Sequence, residues 1–341
     1  MIQGIYQDRG RKHMIWQSYN THPPVAYVSR KEARLCHFIT RIPGNNRTPF
    51  IKETEHVLFT PGLSRDYVAM LRQAPRIERE YHSKLCRGVF VFSDSSLRQV
   101  GDHIDTTGIE DKLHIVLPAY PDQPAHAYEH AGPFRILTIS NKFWGRGIAL
   151  AIEVFRKLRK TYGKAVQMKL VCDDVPANYP LVKGLEIIRA RRIKEKLKRS
   201  LYNEADVFLL LSLHQFGVVL ETMARGIPTV STPNCDRGGW ILPGETGFIV
   251  QPPFWHYGKG FGTKWKTWDQ FQGIVKARFK RGDLSYMITE AVAHVDFLMN
   301  NPDRRKQMGQ AAQKQQREKH SPEPRNRQVR QIYADILKGI P

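Results

Sequence analysis

Residues 206–233, DVFLLLSLHQFGVVLETMARGIPTVSTP, constrain the fold more than any other stretch of the chain. Val207 to Leu211 is an unbroken apolar run, the pattern of a strand covered on both faces. Ser212 to Phe216 interrupts it. Gly217 then opens a second apolar series, Val218, Val219, Leu220, Met223 and Ala224, which reads as a short helix. Gly226 predicts the end of that helix, because glycine takes the left-handed C′ position cheaply. Pro228 bars continuation, and Thr229, Val230 and Ser231 begin the next strand. Strand, helix and strand in so few residues make one βαβ unit, and such a unit requires a parallel sheet.

Ligands of open α/β sheets bind beyond the carboxyl ends of the strands. The spacing puts His214, Gln215, Phe216 and Gly217 at that edge, with the free amides of a helix N-terminus behind them. Such an N-terminus favours a phosphate. Glu221 lies one turn into the helix, where its carboxylate can reach back and accept hydrogen bonds from ribose or sugar hydroxyls. On physics alone, a solvated first-turn acid explains Glu221 equally well.

Phe216–Gly217, followed by Glu221-Thr222-Met223-Ala224-Arg225-Gly226-Ile227-Pro228, resembles the signature of GT-B glycosyltransferases of the family 4 type. That signature is roughly Glu-x-Phe-Gly, four residues, then Glu-Ala-Met-Ala-x-Gly-x-Pro. The resemblance implies that Glu221 holds the ribose of a nucleotide sugar, and that His214, Phe216, Gly217 and Val218 line the same site. Two departures are visible. His214 and Gln215 stand near the place of the family's first glutamate, and the interval from Phe216 to Glu221 is one residue short. Sugar contacts at that loop are therefore expected to differ from the family's.

The turn Asn141-Lys142-Phe143-Trp144-Gly145-Arg146-Gly147 follows a predicted strand, Phe134 to Ser140, and precedes a predicted helix, Ile148 to Tyr162. Arg146–Gly147 resembles the family's basic residue and glycine that grip the donor diphosphate, with Lys142 assisting. Charge grows on a nucleoside diphosphate as the sugar bond breaks, so a fixed cation there stabilises the transition state more than the ground state. A basic loop on a basic domain is the plain alternative. His56, close to Glu53 and Glu55, matches by position the histidine that the family sets toward the sugar; a surface histidine in a polar loop is its alternative.

A chain of 341 residues is long enough for two domains. No apolar run approaches the ~20 residues of a membrane span, and the N-terminal MIQGIYQDRGRKH lacks the apolar region of a secretory signal. Cys36, Cys86, Cys172 and Cys235 have no paired spacing, which points to reduced thiols in the cytoplasm and away from a cysteine metal site. The net charge of +21 is concentrated: residues 131–341 hold 36 Lys and Arg against 18 Asp and Glu, while residues 1–130 hold 17 against 14. A surface that basic attracts phosphates, anionic membranes or nucleic acid, or simply confers solubility.

Residues 1–24 read as an irregular arm, with strands expected at Val25–Ser29 and Leu35–Thr40 and a polar loop around residues 52–56. A helix is expected over Ser64–Cys86, kinked or split at Pro75, then a strand at Gly88–Phe92 and a helix capped by Ser93 to Ser95. Leu113–Pro118 is the next expected strand. Val166–Val171 and Leu185–Ile188 are expected strands, the latter leading into a basic helix with an apolar stripe of Ile193, Leu197, Leu201 and Tyr202. Trp255–Arg281 is aromatic and basic and reads as an insertion that either packs or stacks against a ligand or interface. Helices are expected over Leu284–Met299, from Asn301, and around Ile332–Leu337.

The expected architecture is α/β: GT-B, two Rossmann-like domains facing across a cleft, the first one short. The boundaries are 1–120 for the acceptor-side domain, 121–132 for a linker, 133–320 for the sugar-nucleotide domain, and 321–341 for a helix returning to the first domain. The resemblance implies a hexosyltransferase that moves a sugar from a donor such as UDP- or GDP-hexose, with retention, to a lipid-linked or cell-envelope glycan acceptor. No cofactor and no metal are expected, and a peripheral contact with the inner membrane face is. Two alternatives stand beside it: a transferase acting on modified bases of nucleic acid, and a non-catalytic binding protein of the same fold.

Overall fold

The computed structural model describes residues 35–39, 47–54, 71–128, 132–190, 193–213, 217–233, 239–253 and 267–339, and the backbone of 2–8 and 11–17. The chain forms two compact units, one of Met1–Ala119 with Lys319–Pro341, the other of Tyr120–Glu318.

The first unit opens with an antiparallel hairpin, β1 (Ile2–Asp8) and β2 (Arg11–Gln17), in place of the irregular arm expected there. The ladder runs from Ile2 paired with Gln17 to Asp8 paired with Arg11. Cross-strand pairs such as Ile5 with Met14 and Gln3 with Trp16 were hidden by the weak alternation around them. A four-stranded parallel sheet follows in the order β3 (Cys36–Ile39), β4 (Phe50–Thr54), β5 (Cys86–Val91), β6 (Leu113–Ile115). The polar loop expected at residues 52–56 is in part strand: Lys52, Glu53 and Thr54 are all buried. Burial depresses the Lys52 ammonium to about 7. The expected strand at Val25–Ser29 lies outside the described residues.

Helix α1 (Ala74–His82) carries Pro75 in its first turn, where the missing N–H of proline costs nothing, and a turn at 72–73 separates it from the helical Leu71, the split expected near Pro75. The chain from Cys86 is already strand, so the helix is shorter than its sequence suggested. Helix α2 (Asp94–His103) starts as expected, with the Ser93 side chain accepting from the Ser96 amide at 3.1 Å, a cap worth about 1 kcal/mol.

The second unit holds a six-stranded parallel sheet: β7 (Phe134–Ile139), β8 (Val166–Val171), β9 (Leu185–Ile188), β10 (Val207–Leu210), β11 (Thr229–Ser231) and β12 (Gly247–Ile249). Their order across the sheet is β12-β11-β10-β7-β8-β9. The chain thus lays three strands outward in one direction from β7 and three in the other from β10. Connecting helices are α3 (Ile148–Tyr162), α4 (Glu195–Glu204) and α5 (Val218–Arg225). Leu201 and Tyr202 of α4 and Val219, Leu220 and Met223 of α5 pack with Leu137, Phe208 and Leu210 of the sheet. In α4 the apolar stripe is narrower than expected: Leu197 is 41% exposed.

Three more helices complete this unit: α6 (Trp268–Arg281), α7 (Ser285–Asn300) and α8 (Pro302–Lys319). The helix α6 lies within the stretch read as an insertion. Residues 254–266 of that stretch lie outside the described residues. The closing helix α9 (Pro322–Lys338) belongs to the first unit, where Val329 and Tyr333 join Leu35, Ile51, Phe90 and Val116 in one core. Among the described residues no helix is long and apolar enough to cross a membrane.

Candidate functional site

The strand order of the second unit has one switch point, between β7 and β10, where successive connections leave in opposite directions. Crevices for ligands open at such points, outside the carboxyl ends of the strands. The loop 140–147 leaves β7 there, and residues 211–213 leave β10 beside it.

Those two loops are locked together by backbone. The Leu213 amide donates to the Gly145 carbonyl at 3.3 Å. Gly147 has φ +68°, and a Cβ on it would fall on the Leu211 carbonyl. Position 147 therefore tolerates only glycine, both for its left-handed backbone and for the approach of the neighbouring loop. From the other side Phe271 and Trp268 of α6 close on Gly145, each 3.0 Å from where a Cβ would stand. Phe271 is fully buried. The aromatic stretch before Arg281 thus packs against the loop, in its described part.

Gly147 is the N-cap of α3, but the first amides of that helix are taken up locally. Ile148 donates to the Phe143 carbonyl at 3.0 Å, and Gly147 donates to Trp144, also at 3.0 Å. An anion at this loop would accordingly be met by side chains. Arg146 is half-buried in the loop. Lys142 Nζ stands 3.7 Å from Asp174 Oδ2, with both side chains about one-third exposed. Such a pair contributes little to stability, so Lys142 can turn to a ligand at low cost.

At α5 the cap differs. Gly217 is the N-cap, and no side chain of the described residues caps the helix. Its C-terminus closes as the sequence implies, with Gly226 at φ +74° and the Ile227 amide donating to the Thr222 carbonyl at 3.0 Å. Val218 is half-buried on the first turn. Glu221 points to α4: Lys198 Nζ forms an ion pair with its Oε2, and the Tyr202 hydroxyl donates to the same oxygen at 3.2 Å. Burial, then the Glu221 charge, pushes the Tyr202 hydroxyl well above the ordinary tyrosine range, so it remains a donor. Arg225 lies over the Tyr202 ring at 5.0 Å and is itself buried. Tyr120 completes the group, its hydroxyl pushed up to about 12 by burial and by Glu221.

The structure thus brings Lys142, Arg146, Gly147, Gly217, Val218 and Glu221 to one edge of one sheet. His56, His214 and Phe216 lie outside the described residues. Glu53, the acid named beside His56, is enclosed within the first unit. Its Oε1 accepts from Arg325 Nη2 at 2.6 Å and its Oε2 is 3.0 Å from His37 Nε2. Lys198, Tyr202 and Tyr120 were not singled out for the site by sequence. The available signal was Lys198 and Tyr202 at i and i+4, which places both on one face of α4.

Residues 133–254 match the family described as glycosyl transferases group 1, a span that contains the whole six-stranded sheet. Solved structures share the fold. Sucrose-phosphate synthase from Thermosynechococcus elongatus matches at TM-score 0.62 and 13% identity, over 98% of this chain and 86% of its own. A glycosyltransferase from Rickettsia africae matches at 0.58 and 14%, over 95% and 85%. Anabaena HepE, solved with UDP-glucose, matches at 0.55 and 13%, over 85% and 73%. No curated protein sequence matches the chain.

Proposed function

We propose, from the premise that the chain is a GT-B glycosyltransferase with a glycosyl transferases group 1 domain at residues 133–254, that its second unit binds a nucleotide-sugar donor at the β7–β10 switch point. The single observation that carries this is the adjacency, at Leu213 and Gly145, of the loop with Arg146 and Lys142 to the chain from β10 that precedes the N-terminus of α5 and Glu221. In this reading the ribose hydroxyls donate to Glu221. The diphosphate lies against Arg146 and Lys142 and near the first amides of α5. The donor is a UDP-hexose, a choice supported by Anabaena HepE, which has this fold and was solved with UDP-glucose.

The residues divide the work by where charge changes. Glu221 faces the ribose, which does not react, so it contributes binding that is equal in ground and transition states. Arg146 faces the leaving diphosphate, whose charge grows as the anomeric carbon–oxygen bond lengthens, so it contributes to rate. The chain's own cations fill this role, and the reaction proceeds without a resident metal. Transfer is with retention, as the resemblance implies. The acceptor is a lipid-linked or cell-envelope glycan, reached from the cytoplasmic side of an anionic membrane; the excess of basic residues in 131–341 supports such a surface.

A thermal-shift panel of UDP-, GDP- and ADP-sugars tests the donor site. A UDP-sugar at 100 times its dissociation constant should stabilise the protein by about 2.7 kcal/mol, and Glu221→Ala should remove most of that gain. Absence of any shift at millimolar concentration would sink the donor reading. If binding of duplex DNA with a steep salt dependence appeared instead, the acceptor would be nucleic acid.

A further inference from the structure

The described contacts of Glu221 all fall on one of its oxygens. Lys198 and Tyr202 both reach Oε2, and no hydrogen bond to Oε1 is made among the described residues. The arrangement is enclosed: the Lys198 and Glu221 side chains are 18% and 17% exposed, and Tyr202 is fully buried. Tyr202 is pinned in turn by Arg225 over its ring at 5.0 Å, and its hydroxyl, kept protonated, can only donate to the carboxylate. A glutamate on the first turn of a helix normally samples several rotamers; here one oxygen is clamped from the neighbouring helix.

We propose that Lys198 and Tyr202 are positioning residues for the donor ribose. They hold Glu221 by Oε2 so that Oε1 is presented, pre-ordered, to the ribose hydroxyls. This rests on the ribose reading of Glu221. Ordering the carboxylate before the ligand arrives removes a cost that binding would otherwise bear. Lys198 adds a second effect. An uncompensated carboxylate would repel the diphosphate of the same ligand, and the ammonium against Oε2 cancels that field over the length of a nucleotide. The pair discriminates for a ribose with its hydroxyls intact, because a nucleotide lacking them leaves Oε1 without a donor.

The test compares binding of UDP and of 2′,3′-dideoxy-UDP to wild type, Lys198→Met, Lys198→Arg and Glu221→Ala. Wild type should prefer UDP by about tenfold or more, and Glu221→Ala should lose the preference. Lys198→Met should lose most of it, Lys198→Arg should keep it, and Lys198→Met added to Glu221→Ala should change nothing further. With the donor as substrate, Lys198→Met should raise KM by about tenfold and leave kcat within about twofold, the signature of lost uniform binding. A merely structural lysine would weaken UDP and the dideoxy analogue equally, and that result overturns the proposal. So does unchanged discrimination in Lys198→Met while Glu221→Ala loses it. If Glu221→Ala keeps the preference, or if wild type does not bind UDP, the ribose reading fails and this one with it. Tyr202→Phe, which removes only the hydroxyl, serves if Lys198→Met does not fold, with the same expected and overturning results.

Discussion

Each unit holds a glutamate met by a cation, and the two are finished differently. In the first unit Glu53 Oε1 accepts from Arg325 at 2.6 Å, and Oε2 lies in ion contact with His37 at 3.0 Å. His37 is anchored from behind by the Tyr333 hydroxyl at 2.5 Å. All four groups sit in the core joining β3, β4 and α9. In the second unit Glu221 has one oxygen occupied, by Lys198 and Tyr202, beside the switch point of the sheet. A carboxylate enclosed on both oxygens by cations of its own fold is structural, however catalytic its residue type looks. A carboxylate clamped on one side only is held ready. What separates them is the count of unfilled acceptor positions, which no inventory of residue types reveals.

The largest effect follows from the closed network. Burial would raise the Glu53 pKa, but Arg325 and His37 outweigh it and hold the carboxyl down to about 2. Arg325→Met should leave that charge buried without its main partner and cost about 3–5 kcal/mol, read by denaturant unfolding. Glu53→Leu combined with Arg325→Met should recover much of the loss, because a well-packed apolar pair replaces an ion pair at little cost. A loss below about 1 kcal/mol in the single variant would show that the network is not the enclosed one described.

Next in size is Arg146. If it meets the charge developing on the leaving group, Arg146→Ala should lower kcat by about 10²–10³-fold with a smaller change in donor KM. Lys142→Ala should cost less, because its ammonium is about one-third exposed and shared with Asp174. Equal effects on KM and none on kcat would move both residues from the leaving group to ground-state binding.

Much of the second unit was legible in the sequence because its local signals agree. Val207–Leu210 is apolar on both faces, Gly226 and Pro228 end α5 where glycine and proline must, and Gly147 sits where only glycine fits. The first unit was harder to read. Its central strand β4 carries Lys52, Glu53 and Thr54, a loop-like composition that is buried only because α9, about 270 residues later in the chain, supplies Arg325. Long-range compensation of that kind leaves no local pattern. The same holds for Glu221: its motif suggests a ribose contact, but Lys198 and Tyr202 come from α4, before β10, a helix whose sequence shows only basic charge and an apolar stripe that includes Tyr202.

Acid should separate the two units. The His320 imidazole is buried and pushed down to about 4 by that burial, against 6.5 when exposed. The unfolded chain therefore takes up a proton that the native chain refuses, and stability falls as pH drops from about 6.5 to 4, by about 3 kcal/mol. Glu53 adds a second loss of similar size between about 4.5 and 2, where the unfolded carboxylate protonates and the native one does not. Both groups lie in the first unit. His320→Gln should flatten the upper part of the curve in urea titrations across pH and leave the lower part intact; an unchanged upper part would mean that His320 is not the group responsible.

The smallest effect on stability sharpens the comparison most. Glu221→Ala leaves the buried Tyr202 hydroxyl without its acceptor, so unfolding free energy should fall by about 1–3 kcal/mol, below the loss at Arg325. Donor affinity should nevertheless fall by about tenfold or more, since a charged acceptor for ribose hydroxyls contributes roughly 1.5–3 kcal/mol. The ratio of the two effects is the useful quantity. A residue that costs much binding and little stability belongs to the ligand; one that costs stability and binding in proportion belongs to the fold. If Glu221→Ala destabilised the protein as Arg325→Met does, the ion pair to α4 would be a structural clamp like the one at Glu53, and the difference between the two glutamates would vanish.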